Sequence, residues 1–162
     1  MAKKMHDTPN LDQLETGPWQ SFVTGLKALA RDKDYVVDLL GQLEARRVSL
    51  TGNYGRRVPI AVKVAPDLQT ADIADIARVV VEHHMDAIIA TNTTTDRDGV
   101  AGVPHATEPG GLSGQPLKAK ADRVLHAFRQ QLPTGTALIG VGGIGSGQDA
   151  VDKLELEANL VQ

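Results

Sequence analysis

The sequence predicts an α/β fold in which parallel strands alternate with crossover helices. Three observations predict it: short continuous apolar runs recur from residue 59 onward, helical patterns separate them, and glycine-rich or polar turns follow the runs at one end. Unbroken apolar runs of strand length are expected where both faces of a parallel sheet are covered. The order from Pro59 is therefore βαβαβαβ.

Before that region, Gly17-Pro18 signals the start of a helix over about 18–31, where Trp19, Phe22, Val23, Leu26 and Leu29 recur at helical spacing. A second helical pattern runs through Tyr35, Val36, Leu39, Leu40 and Leu43, and the polar stretch Thr51-Gly-Asn-Tyr-Gly-Arg-Arg is expected to be a loop. Residues 1–58 thus form a helical segment and loop, and 59–162 the strand-bearing region. Within the latter the strands are Pro59-Ile-Ala-Val-Lys-Val-Ala, Asp86-Ala-Ile-Ile-Ala-Thr, Ala137-Leu-Ile-Gly-Val and Asn159-Leu-Val-Gln, with helices at about 71–84, 117–131 and 147–156. An open doubly wound sheet and an eight-fold barrel both fit, since each gathers ligands at the C-terminal ends of its strands. Four strands do not close a barrel, which takes about 250 residues, and Gln162 falls at an apolar strand, so the sequence reads as an interrupted fold.

Composition narrows the function. The 162 residues are 41% hydrophobic, enough for one core, and 17 Lys and Arg against 20 Asp and Glu give a net charge of -3. No basic field exists for nucleic acid, which is excluded as a partner. There is no cysteine, so disulfides, thiolate nucleophiles and cysteine metal sites are absent and a reducing cytoplasm is the expected location. No run approaches the roughly 18 apolar residues of a membrane span, and Met1-Ala-Lys-Lys-Met-His-Asp lacks the apolar stretch of a secretory signal. His83 and His84 adjoin on a helix and point about 100° apart, so they suit a solvated helix end and no metal site is expected. Lys3, Lys4, Arg46-Arg47 and Arg56-Arg57 are expected on solvated faces.

Four features carry chemistry. Lys63 sits inside an apolar strand, where an ammonium needs an anion, an ion-pair partner such as Asp67, or a route to solvent. Thr91-Asn-Thr-Thr closes the second strand with uncharged donors and acceptors, suited to a planar amide-rich ring or to ordinary turn capping. Gly110-Gly-Leu-Ser-Gly and Gly140-Val-Gly-Gly-Ile-Gly-Ser-Gly are glycine turns, the second between a strand and a helix. Backbone amides at such a turn make a phosphate site, or the glycines serve only a tight turn.

Together, Ile60-Ala-Val-Lys-Val-Ala-Pro-Asp-Leu, Ile89-Ala-Thr-Asn-Thr-Thr-Thr-Asp-Arg, Gly110-Gly-Leu-Ser-Gly-Gln-Pro-Leu and Leu138-Ile-Gly-Val-Gly-Gly-Ile-Gly-Ser-Gly-Gln-Asp-Ala resemble, in order and spacing, the motifs of class 2, quinone-dependent dihydroorotate dehydrogenases. Thr8-Pro-Asn-Leu-Asp-Gln-Leu resembles the segment after that family's catalytic loop. The resemblance implies a partial TIM (β/α)8 barrel, roughly its second half, with FMN across the barrel mouth. It also implies oxidation of dihydroorotate to orotate in pyrimidine biosynthesis, with a quinone as the final acceptor and, for the full-length family, a peripheral place on the inner membrane.

Carried over motif by motif, Lys63 matches the lysine beside the flavin ring, Thr91 a flavin contact, and Asn92 and Thr93 the pair that hydrogen-bond the orotate ring. Gly114, Gly142 and Gly143 match backbone contacts to FMN. The family's Asn-x-Ser-Ser-Pro-Asn loop, which supplies its serine base, falls on Ala2-Lys-Lys-Met-His-Asp, with Asp7 in the place of the last asparagine, so no catalytic base is matched. Leu156-Glu157-Ala158 stands where the family has a small residue and a glycine. The expectation is a truncated chain, inactive alone. The alternatives are another FMN- or phosphate-binding barrel oxidoreductase and a non-catalytic half-barrel acting by self-association.

Overall fold

In a computed structural model, which describes residues 33–162, the chain divides into two compact units, Met1–Val58 and Pro59–Gln162. The helix expected over about 18–31, Asp7, Lys3, Lys4 and the Thr8–Leu14 match lie outside the described residues. The first unit is described through one helix, α1 (Lys33–Tyr54). It buries Val36, Leu39 and Leu40 from the apolar stripe read in the sequence.

Two expectations fail on α1. The loop predicted from Thr51 starts later, because the helix carries Gly52 within it at a propensity cost of roughly 1 kcal/mol and ends at Tyr54. Gly55 then takes a positive φ of 65° and donates its N–H to the Thr51 carbonyl at 2.8 Å, closing the last turn. Arg47, expected on a solvated face, is buried and paired with Glu44 one turn earlier, so its stem packs while its charge is met locally. Arg46, Arg56 and Arg57 are exposed as expected.

The second unit is a four-stranded parallel sheet in sequential order, β1 (Ala61–Val64), β2 (Ala87–Ala90), β3 (Ala137–Gly140) and β4 (Leu160–Val161). Between the strands run α2 (Thr70–Glu82), α3 (Lys118–Arg129) and α4 (Gly147–Glu155), with short 3-10 turns at Asp98–Val100 and Gln115–Leu117. The register aligns Lys63, Ile89, Ile139 and Leu160 in one row and Val64, Ala90, Gly140 and Val161 in the next. Because side chains alternate faces, Val62, Val64, Ile88, Ala90 and Leu138 share the buried face, and Lys63, Ile89 and Ile139 share the other. The buried face meets the helices. A Cβ on Gly140 would lie 2.9 Å from the Lys153 stem of α4.

That layer is packed by Ile73, Ala77 and Val80 of α2 and by Ala121, Val124, Leu125 and Phe128 of α3, each at most 2% exposed. The sheet's N-terminal edge is fastened by side chains, the Asp86 carboxylate accepting Ile60 N–H at 2.7 Å and the Asn159 carbonyl accepting Leu138 N–H at 2.8 Å. All polar turns predicted after the strands lie at the opposite, C-terminal edge. No helix among the described residues is long and apolar enough to cross a membrane.

Candidate functional site

The C-terminal ends of three strands are tied by main-chain bonds. Asn92 N–H donates to Val64 O at 2.7 Å, Val141 N–H to Ala90 O at 2.6 Å, and Thr91 N–H to Val141 O at 2.9 Å. Lys63, the Thr91–Thr94 tetrad and the Gly142–Gly143 turn therefore occupy one edge of one sheet. Lys63 lies on the face away from the helices, half-buried, with no hydrogen-bond or ion-pair partner among the described residues. The ion pair weighed with Asp67 is not formed. The Asp67 carboxylate instead accepts the Thr94 hydroxyl at 2.6 Å, Thr95 N–H at 3.3 Å and the Lys120 ammonium at 3.2 Å.

Within the tetrad each member has a different freedom. Thr91 is 1% exposed and spends its hydroxyl proton on Asn92 O at 2.9 Å, leaving only oxygen lone pairs. The Asn92 carbonyl oxygen accepts Thr93 N–H at 2.9 Å, so its amide NH2, which has no acceptor among the described residues, is the end left for a ligand oxygen. Thr93 is pressed from behind by Gly111, where a Cβ would sit 2.0 Å from the threonine hydroxyl oxygen. Thr94 pairs with Leu112 through two main-chain bonds of 3.0 and 2.7 Å, bringing the first glycine turn against the tetrad.

The excursion between them is held shut by Arg97, which donates to the carbonyls of Glu108 at 3.0 Å and Gly110 at 2.8 Å. Lys120 of α3 binds Asp96 as well as Asp67. Its pKa is raised, chiefly by the Asp96 hydrogen bond, while that of Asp96 is lowered, chiefly by Lys120. Arg97 and Lys120 were not singled out from sequence, and Asp67 was weighed only as an ion-pair partner for Lys63. Asp67 stood inside a quoted motif, but its partners are 27 and 53 residues away.

The second glycine turn is shaped by close approach. Gly142 and Gly143 have φ of 100° and 73°, and a Cβ on Gly143 would lie 2.4 Å from the Lys118 backbone. The N–H groups of Gly142, Gly143 and Ile144 have no acceptor among the described residues. Three such open donors in sequence, just ahead of the α4 N-terminus, are the main-chain chemistry that a phosphate would need. Gly114, also named from sequence, has φ 75° and opens the 3-10 turn by accepting Leu117 N–H at 3.0 Å.

Asp149 closes this turn. Its carboxylate accepts from the Ser146 hydroxyl at 2.8 Å, Gly145 N–H at 3.0 Å and the Gln115 amide at 3.2 Å. Those donors, the Ser146 hydroxyl foremost, hold its pKa down to about 2. An unfolded aspartate titrates near 3.9, so the depressed group stabilises the fold above that pH, and its contribution is lost as pH falls through about 2. The expected result is that Asp149→Asn is less stable than wild type at neutral pH and that the gap closes on acidification. Urea midpoints of both proteins at stepped pH check this, and a gap that stays constant to the lowest pH would refute it.

Residues 18–162 match the dihydroorotate dehydrogenase family. The dihydroorotate dehydrogenase (quinone) of Polaromonas naphthalenivorans is 44% identical over 154 residues, covering 95% of this chain and 44% of that protein. The enzyme of the same name from Stenotrophomonas maltophilia is 51% identical over 138 residues, covering 85% and 39%. Among solved structures, DHODH from Eimeria tenella in complex with ferulenol superimposes with a TM-score of 0.77 at 29% identity, over 85% of this chain and 40% of that one. The chain thus spans less than half the length of these relatives.

Proposed function

The chain belongs to the dihydroorotate dehydrogenase family, in its quinone-type class, and on that premise we propose that it carries the flavin side of a site that oxidises dihydroorotate to orotate, with FMN as cofactor and a quinone as final acceptor. The observation that carries the reading is the gathering of Lys63, Asn92 and the Gly142–Ile144 amides at one edge of the sheet, each with a donor that no described residue accepts.

FMN, when bound, supplies the acceptor for a hydride. The chain's residues would hold and orient the flavin and the substrate ring. Lys63 would place its half-buried ammonium beside a bound flavin ring, where a positive charge would stabilise the reduced anion. Asn92 donates its amide to an oxygen of the orotate ring, and Thr93, set by Gly111, stands next to it. Gly142 and Gly143 would offer main-chain donors to the phosphate of a bound FMN, with Gly114 and Thr91 as further flavin contacts. No described residue is assigned as the base that takes the substrate's proton.

The test uses the purified 162-residue chain, reconstituted with FMN and titrated with orotate while the flavin absorbance is followed. Wild type is expected to hold FMN and to show an orotate-dependent spectral shift. Lys63→Ala is expected to lose flavin at least about tenfold, the scale of one charged contact. Asn92→Ala should keep the flavin and lose the orotate response. Wild type without affinity for FMN, or Asn92→Ala with an unchanged orotate response, would overturn the assignment.

A further inference from the structure

Gln115 belongs to the first glycine turn in sequence but works on the second. Its amide nitrogen donates to the Gly143 carbonyl at 3.2 Å and to the Asp149 carboxylate at 3.2 Å. The fit is close from the other side too, since a Cβ on Gly145 would lie 2.5 Å from that same nitrogen. Gln115 thus meets the turn at Gly143 and Gly145 and the start of α4 at Asp149, across 28 to 34 residues of sequence.

What this does follows from peptide geometry. The Gly143 carbonyl and the Ile144 N–H belong to one planar trans peptide and point in opposite directions. Holding the carbonyl toward Gln115 aims the Ile144 N–H the opposite way, where it, like the Gly142 and Gly143 N–H groups, has no acceptor among the described residues. A glycine at φ 73° has little of its own to stop that peptide from flipping. A flip would turn the Gly143 carbonyl into the anion site and replace a donor with a repelling oxygen. The bond to Asp149 keeps Gln115 in place, while Gly145 leaves room for it.

We infer that Gln115 is a positioning residue that locks the Gly143–Ile144 peptide and so aims the Ile144 amide at the phosphate of the cofactor. This rests on the proposed flavin site and adds a residue that touches neither flavin nor substrate. Its chemistry requires a donor at position 115, not a particular shape. A residue that merely packs would affect phosphate-bearing and phosphate-free flavin alike.

The experiment compares FMN with riboflavin, which lacks the phosphate, by fluorescence quenching on the full 162-residue chain. Gln115→Met keeps the length and removes the donor; it is expected to weaken FMN about tenfold, one hydrogen bond to a charged group, and to leave riboflavin unchanged. Gln115→Lys restores a donor and should restore FMN affinity. Loss of both ligands in equal proportion, loss of neither, or a lysine variant that fails to rescue would each overturn the positioning role. If Gln115→Met does not fold by circular dichroism, Gly145→Ala, whose Cβ displaces the amide, must give the same selective loss for the inference to stand. Wild type that holds FMN no better than riboflavin removes the phosphate site itself and this inference with it, an outcome distinct from wild-type preference for FMN that Gln115→Met leaves intact.

Discussion

Gly143→Ala is expected to destabilise the protein by about 3 kcal/mol and to abolish FMN binding, whereas Gly147→Ala four residues later should be nearly neutral. Two penalties coincide at Gly143. Its φ of 73° is the left-handed region, which costs a residue bearing a Cβ about 1–2 kcal/mol. The new methyl would also lie 2.4 Å from Lys118 Cα and 2.7 Å from Lys118 N, main-chain atoms that cannot swing aside like the end of a side chain. Relieving that overlap means lifting the start of α3, which is anchored by Ala121, Val124, Leu125 and Phe128, and forced overpacking of this kind costs about 1–3 kcal/mol. Gly147 has no atom within 4 Å of its would-be Cβ and sits at the start of α4. Urea midpoints and FMN titration of the two variants measure the contrast. Equal stability of the two alanine variants would show that the turn is not held against α3 as described.

The sheet was legible because its strands are continuous apolar runs and its crossovers have a helical period. Both signals are local, so the strands expected at Ala137 and Asn159 and the helix expected over 147–156 come within a few residues of β3, β4 and α4. Motif position also placed Lys63, Asn92 and Gly143 at one edge, since a parallel sheet puts every strand-to-helix turn at the same end. What sequence did not disclose are bonds between distant residues. Lys63 stood four positions from Asp67, a plausible partner by proximity, yet the fold directs Asp67 toward Thr94 and Lys120. Arg47 looked like surface charge because its burial depends on the surroundings of α1, which no periodicity encodes, although its partner Glu44 lies one turn away on the same helix. The loop predicted at Thr51 failed for the opposite reason: a glycine's local signal was overridden by helix continuation to Tyr54. Glu157, within the Leu156-Glu157-Ala158 stretch that departs from the family's small residue and glycine, takes φ 65°, a left-handed conformation that a residue with a Cβ rarely adopts.

The last expected result concerns a charge that sequence placed on no map. Lys153 of α4 is 0% exposed, its stem lies against Gly140 of β3, and its ammonium donates to Asp122 of α3 at 2.7 Å. Asp122 also holds Lys118 at 3.1 Å, and Lys118 reaches Asp152 at 2.8 Å and Asp149 at 3.6 Å, so a chain of charges runs from the core to the second glycine turn. The two ends of the buried pair are not equivalent. Asp122→Asn leaves a fully buried ammonium without a counter-charge, and breaking a buried pair from one side costs about 3–5 kcal/mol. An amide oxygen still accepts one hydrogen bond, which puts the expectation near the lower end, about 3 kcal/mol. Lys153→Met removes the ammonium and keeps most of the stem that packs on Gly140, while Asp122 retains Lys118 and has a side chain 19% exposed. Its cost should stay below about 1.5 kcal/mol, the range of volume-conserving swaps. The double variant should then be more stable than Asp122→Asn alone, because the uncompensated charge is gone, a strongly non-additive cycle. Denaturant midpoints of the four proteins decide it: equal single losses that simply add in the double variant would mean that the Lys153 ammonium reaches water and that the pair is not the buried contact between α3 and α4 described above.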